Sequence, residues 1–371
     1  MLKTWKKAVS LVLVFALSMM VCVPAFADSP FTETFYTTGS DKAKSSDTAR
    51  IKSFVDTKIN AAKAKITVSN TKILHDFAGN EYELVECTPT GYYIIHPQSG
   101  IIIESSPNSK SPYKGLNANL YYGGPTYYYI KSGASYKHTI LGTTISDADA
   151  AAQDCQKIHD ALLSQTNEAV SNYLTDKSSS LPSNQLQSTG TDHWVNSYSW
   201  FRNLKSGFGY VSGGYCGYIA ANLILKYWDN CRGKIKLSSW DSPVNSIRLT
   251  NDLIDVGKDD GYGASTYAVD IAKVINDFCS YYSLPQCASW HVGTSGMINE
   301  MDSYKRPVIL FGNLEGAGNH AVVAYGYNEY ENPGDYTFIC HFGWNGSSEV
   351  HICSFPDGTS IFGSNAQYNI S

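Results

Sequence analysis

Short runs of apolar residues, broken by turn-forming groups, fill the chain from about residue 72: Glu81 to Cys87, Tyr92 to His96 and Ile101 to Glu104. Gly79-Asn80, Thr88-Pro89-Thr90-Gly91 and Gln98-Ser99-Gly100 separate them, and this pattern predicts an antiparallel meander. After Tyr-rich segments up to Ile130, the stretch from Asp147 to about Asp176 changes period. Ala151, Cys155, Ile158, Leu162 and Leu163 fall at helical spacing, with Ser146 or Asp147 able to cap the start, so one helix is predicted. Residues 178–190, SSSLPSNQLQSTG, lose periodicity and carry turn and linker residue types, which marks a domain boundary. Beyond it, CGYIAANLILKYW at 216–228 puts Cys216, Ala220, Leu223, Ile224 and Tyr227 on one helical face. Val308 to Phe311, Ala321 to Tyr327, Tyr336 to Phe342 and Glu349 to Cys353 then read as strands. A helix followed by strands predicts an α+β domain over 191–371, preceded at 28–177 by a small antiparallel sheet with a helix.

The first 27 residues belong to neither domain. Lys3, Lys6 and Lys7 precede a nearly unbroken apolar run from Ala8 to Cys22, and Ala25-Phe26-Ala27 has the small-x-small form cut by a signal peptidase. The expected product begins near Asp28, in the extracellular or cell-wall space. No second apolar run of about twenty residues predicts stable membrane insertion. The 28 Lys+Arg and 33 Asp+Glu give a formal charge of -5 with no long like-charge block, which argues against nucleic acid as a partner. Nine cysteines include Cys22 in the leader, and eight in so long a remainder do not make a disulfide-stapled scaffold. Cys340 with Cys353, or Cys279 with Cys287, could close a disulfide. No Cys/His or carboxylate spacing asks for a metal, and no cofactor is expected.

Candidate chemistry begins at Cys216, in GGYCGY at the predicted start of a helix. Free backbone N–H groups and the helix dipole favour a thiolate there, although a buried structural cysteine fits the same pattern. His320 lies in GAGNHAVVAYGY, where small residues feed an apolar strand, a rigid mount for a general base. The segment Cys340-His341-Phe342-Gly343-Trp344-Asn345-Gly346 follows on the next strand, where a neighbour can hold the second imidazole nitrogen of a base.

In this order, Cys216, Asn319-His320-Ala321-Val322 and Trp344 resemble the motifs of papain-like cysteine peptidases, most closely streptopain-like secreted bacterial enzymes. Phe342-Gly343-Trp344 and Lys226-Tyr227 are similar to segments of that group. The resemblance rests on three short motifs in the last 160 or so residues. It implies a two-lobed domain, with a helix bearing the Cys216 nucleophile and a β-barrel-like lobe bearing the His320 base. It also implies a peptide or protein substrate and an intramolecular prodomain at 28–177 that covers the cleft; a separate surface-binding module is the other reading of that segment. His341 stands where that pattern has the orienting Asn, with Asn345 as the fallback. The family's oxyanion Gln is missing from residues 207–215, leaving the Cys216 backbone N–H with Ser212 or Tyr210. A wall-peptide hydrolase or acyl transferase could use the same pair, and an inactive binding protein could keep the fold.

Overall fold

The computed structural model describes residues 41–62, 65–176, 180, 190–204, 214–233, 236–237, 247–264, 267–285, 288–293, 296–329, 336–355 and 365–368. The leader at 1–27, nearly all of the 178–190 linker, Tyr210, Ser212 and Cys287 lie outside the described residues. Helix α1 (Asp41–Ala61) sets Ile51, Phe54, Val55 and Ile59 along one stripe, where they pack with Val85, Cys87 and Ile95. The latter residues belong to a meander of β1 (Thr67–His75), β2 (Glu81–Thr88), β3 (Tyr92–His96) and β4 (Ile101–Ser106), paired antiparallel in sequence order. Strands β5 (Leu120–Tyr122), β6 (Tyr128–Ser132) and β7 (Ser135–His138) extend it on the far side, β5 joining β1 in parallel at the His75–Tyr121 pair.

The single helix expected from Asp147 to Asp176 is two. Asp147 caps α2 (Ala148–Ser164), accepting from the Ala150 N–H at 2.9 Å. Asn167 starts α3 (Glu168–Thr175) by accepting from the Val170 N–H. Thr166 and Asn167 are residues whose side chains compete for backbone partners, and the Thr166 hydroxyl donates back to Leu163 O, so the first helix stops there.

The later half contains β8 (Asp192–Trp194), α4 (Tyr198–Asn203), α5 (Cys216–Arg232), α6 (Arg248–Asp259), α7 (Ala268–Tyr281), β9 (Ser289–Val292) and α8 (Met297–Asp302). It continues with β10 (Val308–Leu314), β11 (Gly318–Glu329), β12 (Tyr336–His341), β13 (Val350–Cys353) and β14 (Asn365–Tyr368). Every residue of α5 from Cys216 to Trp228 is buried, so that stretch has no solvent face. The amphipathic reading of 216–228 is corrected on that point. Helices α6 and α7 close over it, and the Asn222 amide donates to Thr250 Oγ1 at 2.7 Å between α5 and α6. Gly257 lets α6 approach, since a Cβ there would lie 2.3 Å from the Tyr218 hydroxyl.

The chain is thus a mixed α/β protein with a large, mostly antiparallel sheet. The order is β7-β6-β5-β1-β2-β3-β4-β13-β12-β11-β10-β14-β9, with β8 beside β11. The expected β-barrel-like lobe is, among the described residues, an open run of strands continuous with the N-terminal meander. The join is β4 on β13, through the Ser105–His351 and Glu104–Ile352 pairs. An unpaired β13 would present a row of backbone donors and acceptors, which β4 satisfies. The ladder also rules out a Cys340–Cys353 disulfide: Cys340 stands opposite Val350 and Cys353 opposite Thr337, three residues apart along the strands.

Glu104, at that join, is fully buried and accepts hydroxyl hydrogen bonds from Tyr92, Tyr128 and Tyr122 at 2.5, 2.7 and 3.1 Å. Burial pushes its carboxyl up to about 7, against the three tyrosines, which hold it down. A raised carboxyl contributes stability that is complete below the unfolded value near 4.5 and disappears as pH rises through about 7. Relative to Glu104→Gln, the wild type should therefore gain on the order of 2 to 3 kcal/mol between pH 8 and pH 4.5. Urea titrations of both proteins across that range check it; parallel curves would count against this account.

Candidate active site

Cys216 is the first residue of α5, entered through Gly214 at φ +85, a left-handed turn that a side chain would strain. Tyr215 caps the helix with no side-chain bond. Cys216 is 8% exposed, and its thiol donates to the Asn319 carbonyl at 3.5 Å. That carbonyl precedes His320 near the start of β11, where His320 pairs with Gly312 of β10. Residues 103 positions apart in sequence are thereby brought together.

The His320 ring is 7% exposed. Tyr127 meets it edge-on at 5.1 Å between centroids, Trp344 at 5.6 Å, and His138 lies at 6.4 Å. Burial, with His138 as a second cause, pushes the imidazole down to about 3. His320 is therefore neutral here across the physiological range.

Tyr127 and His138 come from the N-terminal half and were not marked by any motif. The Tyr127-Tyr128-Tyr129 run after Gly123-Gly124-Pro125 was the available signal, a turn followed by three large side chains. Thr126 adopts φ +74, an outlier for a β-branched residue, and is held there by His138, whose Nε2–H donates to the Thr126 carbonyl at 2.7 Å. The His138 Nδ1 accepts from the Ile140 and Leu141 N–H groups, so the ring is neutral and pushed down to about 4 by burial. The strained turn aims Tyr127 at the site, where its hydroxyl donates to Gly318 O at 2.9 Å.

The hairpin turn between β10 and β11 is gripped from the same half. Ser146 donates to Gly316 O through both its backbone and its hydroxyl, and Asp154 Oδ2 accepts from the Glu315 N–H at 3.0 Å. Gly316, at φ +75, is required at this approach: a Cβ would stand 2.1 Å from Asp147 O.

His341 does not orient His320. It pairs with Val323, and alternation along β11 puts the side chains of 323 and 320 on opposite faces of the sheet. Both its nitrogens are used elsewhere, Nε2–H donating to Leu204 O at 3.0 Å and Nδ1 accepting from the Gly343 N–H at 2.9 Å. It fastens α4 to the turn that presents Trp344. Gly343, at φ +76, lets that turn sit on α5, where a Cβ would lie 2.8 Å from Ile219 Cγ2. Asn345 follows in the same turn and is exposed.

No family model matches the chain, and no curated protein matches it. Among solved structures it is similar to a mutant fragment of prointerpain A from Prevotella intermedia, with a TM-score of 0.40 and 12% identity, over 80% of this chain and 98% of that one. It is also similar to UfSP from C. elegans, with a TM-score of 0.29 and 15% identity, over 49% of this chain and 34% of that one. At these scores neither likeness assigns a role to a residue here.

Two outcomes follow from this geometry. His341→Ala leaves the Leu204 carbonyl and Gly343 N–H unpaired in the core, and should lower unfolding free energy by about 2 to 4 kcal/mol in urea titration. His96, His138, His320 and His341 are all pushed down, to about 3, 4, 3 and 4. Their stabilising effect is present above about 6.5 and is lost as pH falls, at up to about 2 kcal/mol each by pH 5. Denaturant midpoints should fall between pH 7 and pH 5, with a smaller drop in His138→Phe.

Proposed function

We propose that this chain is a secreted cysteine endopeptidase made as a proenzyme, with Cys216 as nucleophile and His320 as general base. The observation that carries this reading is the contact of the Cys216 thiol, at the start of a buried helix, with the residue that precedes His320. As thiolate, Cys216 attacks the carbonyl of a peptide or protein substrate, His320 protonates the leaving amine, and water hydrolyses the thioester. The Cys216 backbone N–H and its first-turn neighbours stabilise the oxyanion. Asn345, next to the Trp344 that packs on His320, takes the orienting role that His341 cannot fill. The chemistry calls for no metal or organic cofactor.

Residues 28–177 serve as the prodomain. Support comes from Tyr127, Ser146 and Asp154, which hold the His320 hairpin, and from the neutral state that the Tyr127 and His138 wall imposes on His320. A thiolate–imidazolium pair requires a charged ring, so the bound prodomain suppresses the nucleophile as well as covering it. Cleavage within 178–190 releases it. The leader at 1–27 directs export, so the substrate is met outside the cytoplasmic membrane.

The wild type and Cys216→Ala, secreted and followed by mass, test this. The wild type should lose the N-terminal segment and then take up one thiol-directed epoxide at Cys216, while the variant stays full length. A wild type that neither shortens nor labels under reducing conditions would make the inactive binding protein the better reading.

A further inference from the structure

The pocket filled by Tyr127 is built for a phenol. Its hydroxyl donates to Gly318 O at 2.9 Å, at the end of the hairpin where Gly318 stands opposite Leu314. A fixed backbone acceptor thus meets a group that can donate. The ring lies edge-on to His320, with 5.1 Å between centroids. Tyr127 itself is wholly buried. Gly123, whose Cβ would stand 2.5 Å from Leu314 Cδ2, lets the carrying turn press onto the end of β10.

We propose that, once Tyr127 withdraws, this pocket binds a tyrosine side chain of the substrate peptide beside the reacting bond, making the Gly318 carbonyl at the hairpin end a specificity determinant. This rests on the peptidase reading for the word substrate; the pocket itself does not. A phenylalanine in the same place could not make the bond to the Gly318 carbonyl that a tyrosine makes. Tyr127 then acts as a substrate side chain supplied by the chain itself.

The test uses the full-length chain with Tyr127→Ala, its fold checked by circular dichroism. Peptides carry Tyr, Phe or Ala at a single position that is stepped along the sequence. Two readouts are taken: protection of Cys216 from iodoacetamide, located by peptide mapping, and cleavage by mass spectrometry. The tyrosine peptide should protect at about tenfold lower concentration than its phenylalanine twin at one position, and be cut with a kcat/KM at least about tenfold higher. Cleavage with no tyrosine preference overturns the pocket and leaves the peptidase standing. Tyrosine-selective protection without cleavage supports the pocket and removes the peptidase. Equal protection by all three, or none, overturns the proposal. Should Tyr127→Ala not fold, Tyr127→Phe keeps the ring and loses only the hydroxyl that bonds Gly318 O. It should raise the alkylation rate of Cys216 about tenfold, and a rate equal to wild type sinks the idea.

Discussion

Two residue pairs between β4 and β13 hold the molecule in its described form. Through them the meander and the strands bearing His320 become one sheet, and the core runs unbroken from Tyr122 and Tyr128 to α5. The flanking polar groups are tied to that junction. Ser106 donates its hydroxyl to Glu349 O and Asn108 its amide to Glu349 Oε2, while Arg202 faces both Glu349 oxygens at 2.8 Å. The Arg202 guanidinium lies over Trp194 and Tyr198, so the charge pair is anchored to β8 and α4 as well. Displacing β4 would unsettle all of these together.

The meander and the four late strands were readable because each is a short apolar run bounded by turn residues, and the local chemistry suffices. The helix start at Cys216 and the strand start just before His320 were readable for a related reason, since both are local events. What escaped depends on distant partners. The strands around Tyr121 and Tyr129 have no alternation of their own and take their form from Phe77 and Tyr136, against which they stack. Helix α5 carries Asn222 and Lys226 in the core, and nothing in the local sequence shows that the fold buries the face opposite Cys216, Ala220 and Leu223 as well. Which face a histidine takes is set by strand register, and nothing in the letters around His341 reveals that it looks away from His320.

The site is held by strain and by exclusion of charge together. Thr126 is kept in a conformation that costs about 1 to 3 kcal/mol, sustained by a neutral His138. His320 is kept neutral by the same wall. Protonating His138 would remove the acceptor at Nδ1 that the Ile140 and Leu141 N–H groups use, and the turn and the wall would loosen as one.

The join between β4 and β13 also has a bearing on how the chain could be made. A strand that closes a sheet early in synthesis gives later strands a template, and β4 emerges long before β13 pairs with it. If the segment carrying β4 is later cut away, β13 becomes an edge that carries the buried Ile352, with nothing to rebuild the register. Such a product could persist only behind a barrier to unfolding, so its lifetime would be set by a rate and not by an equilibrium.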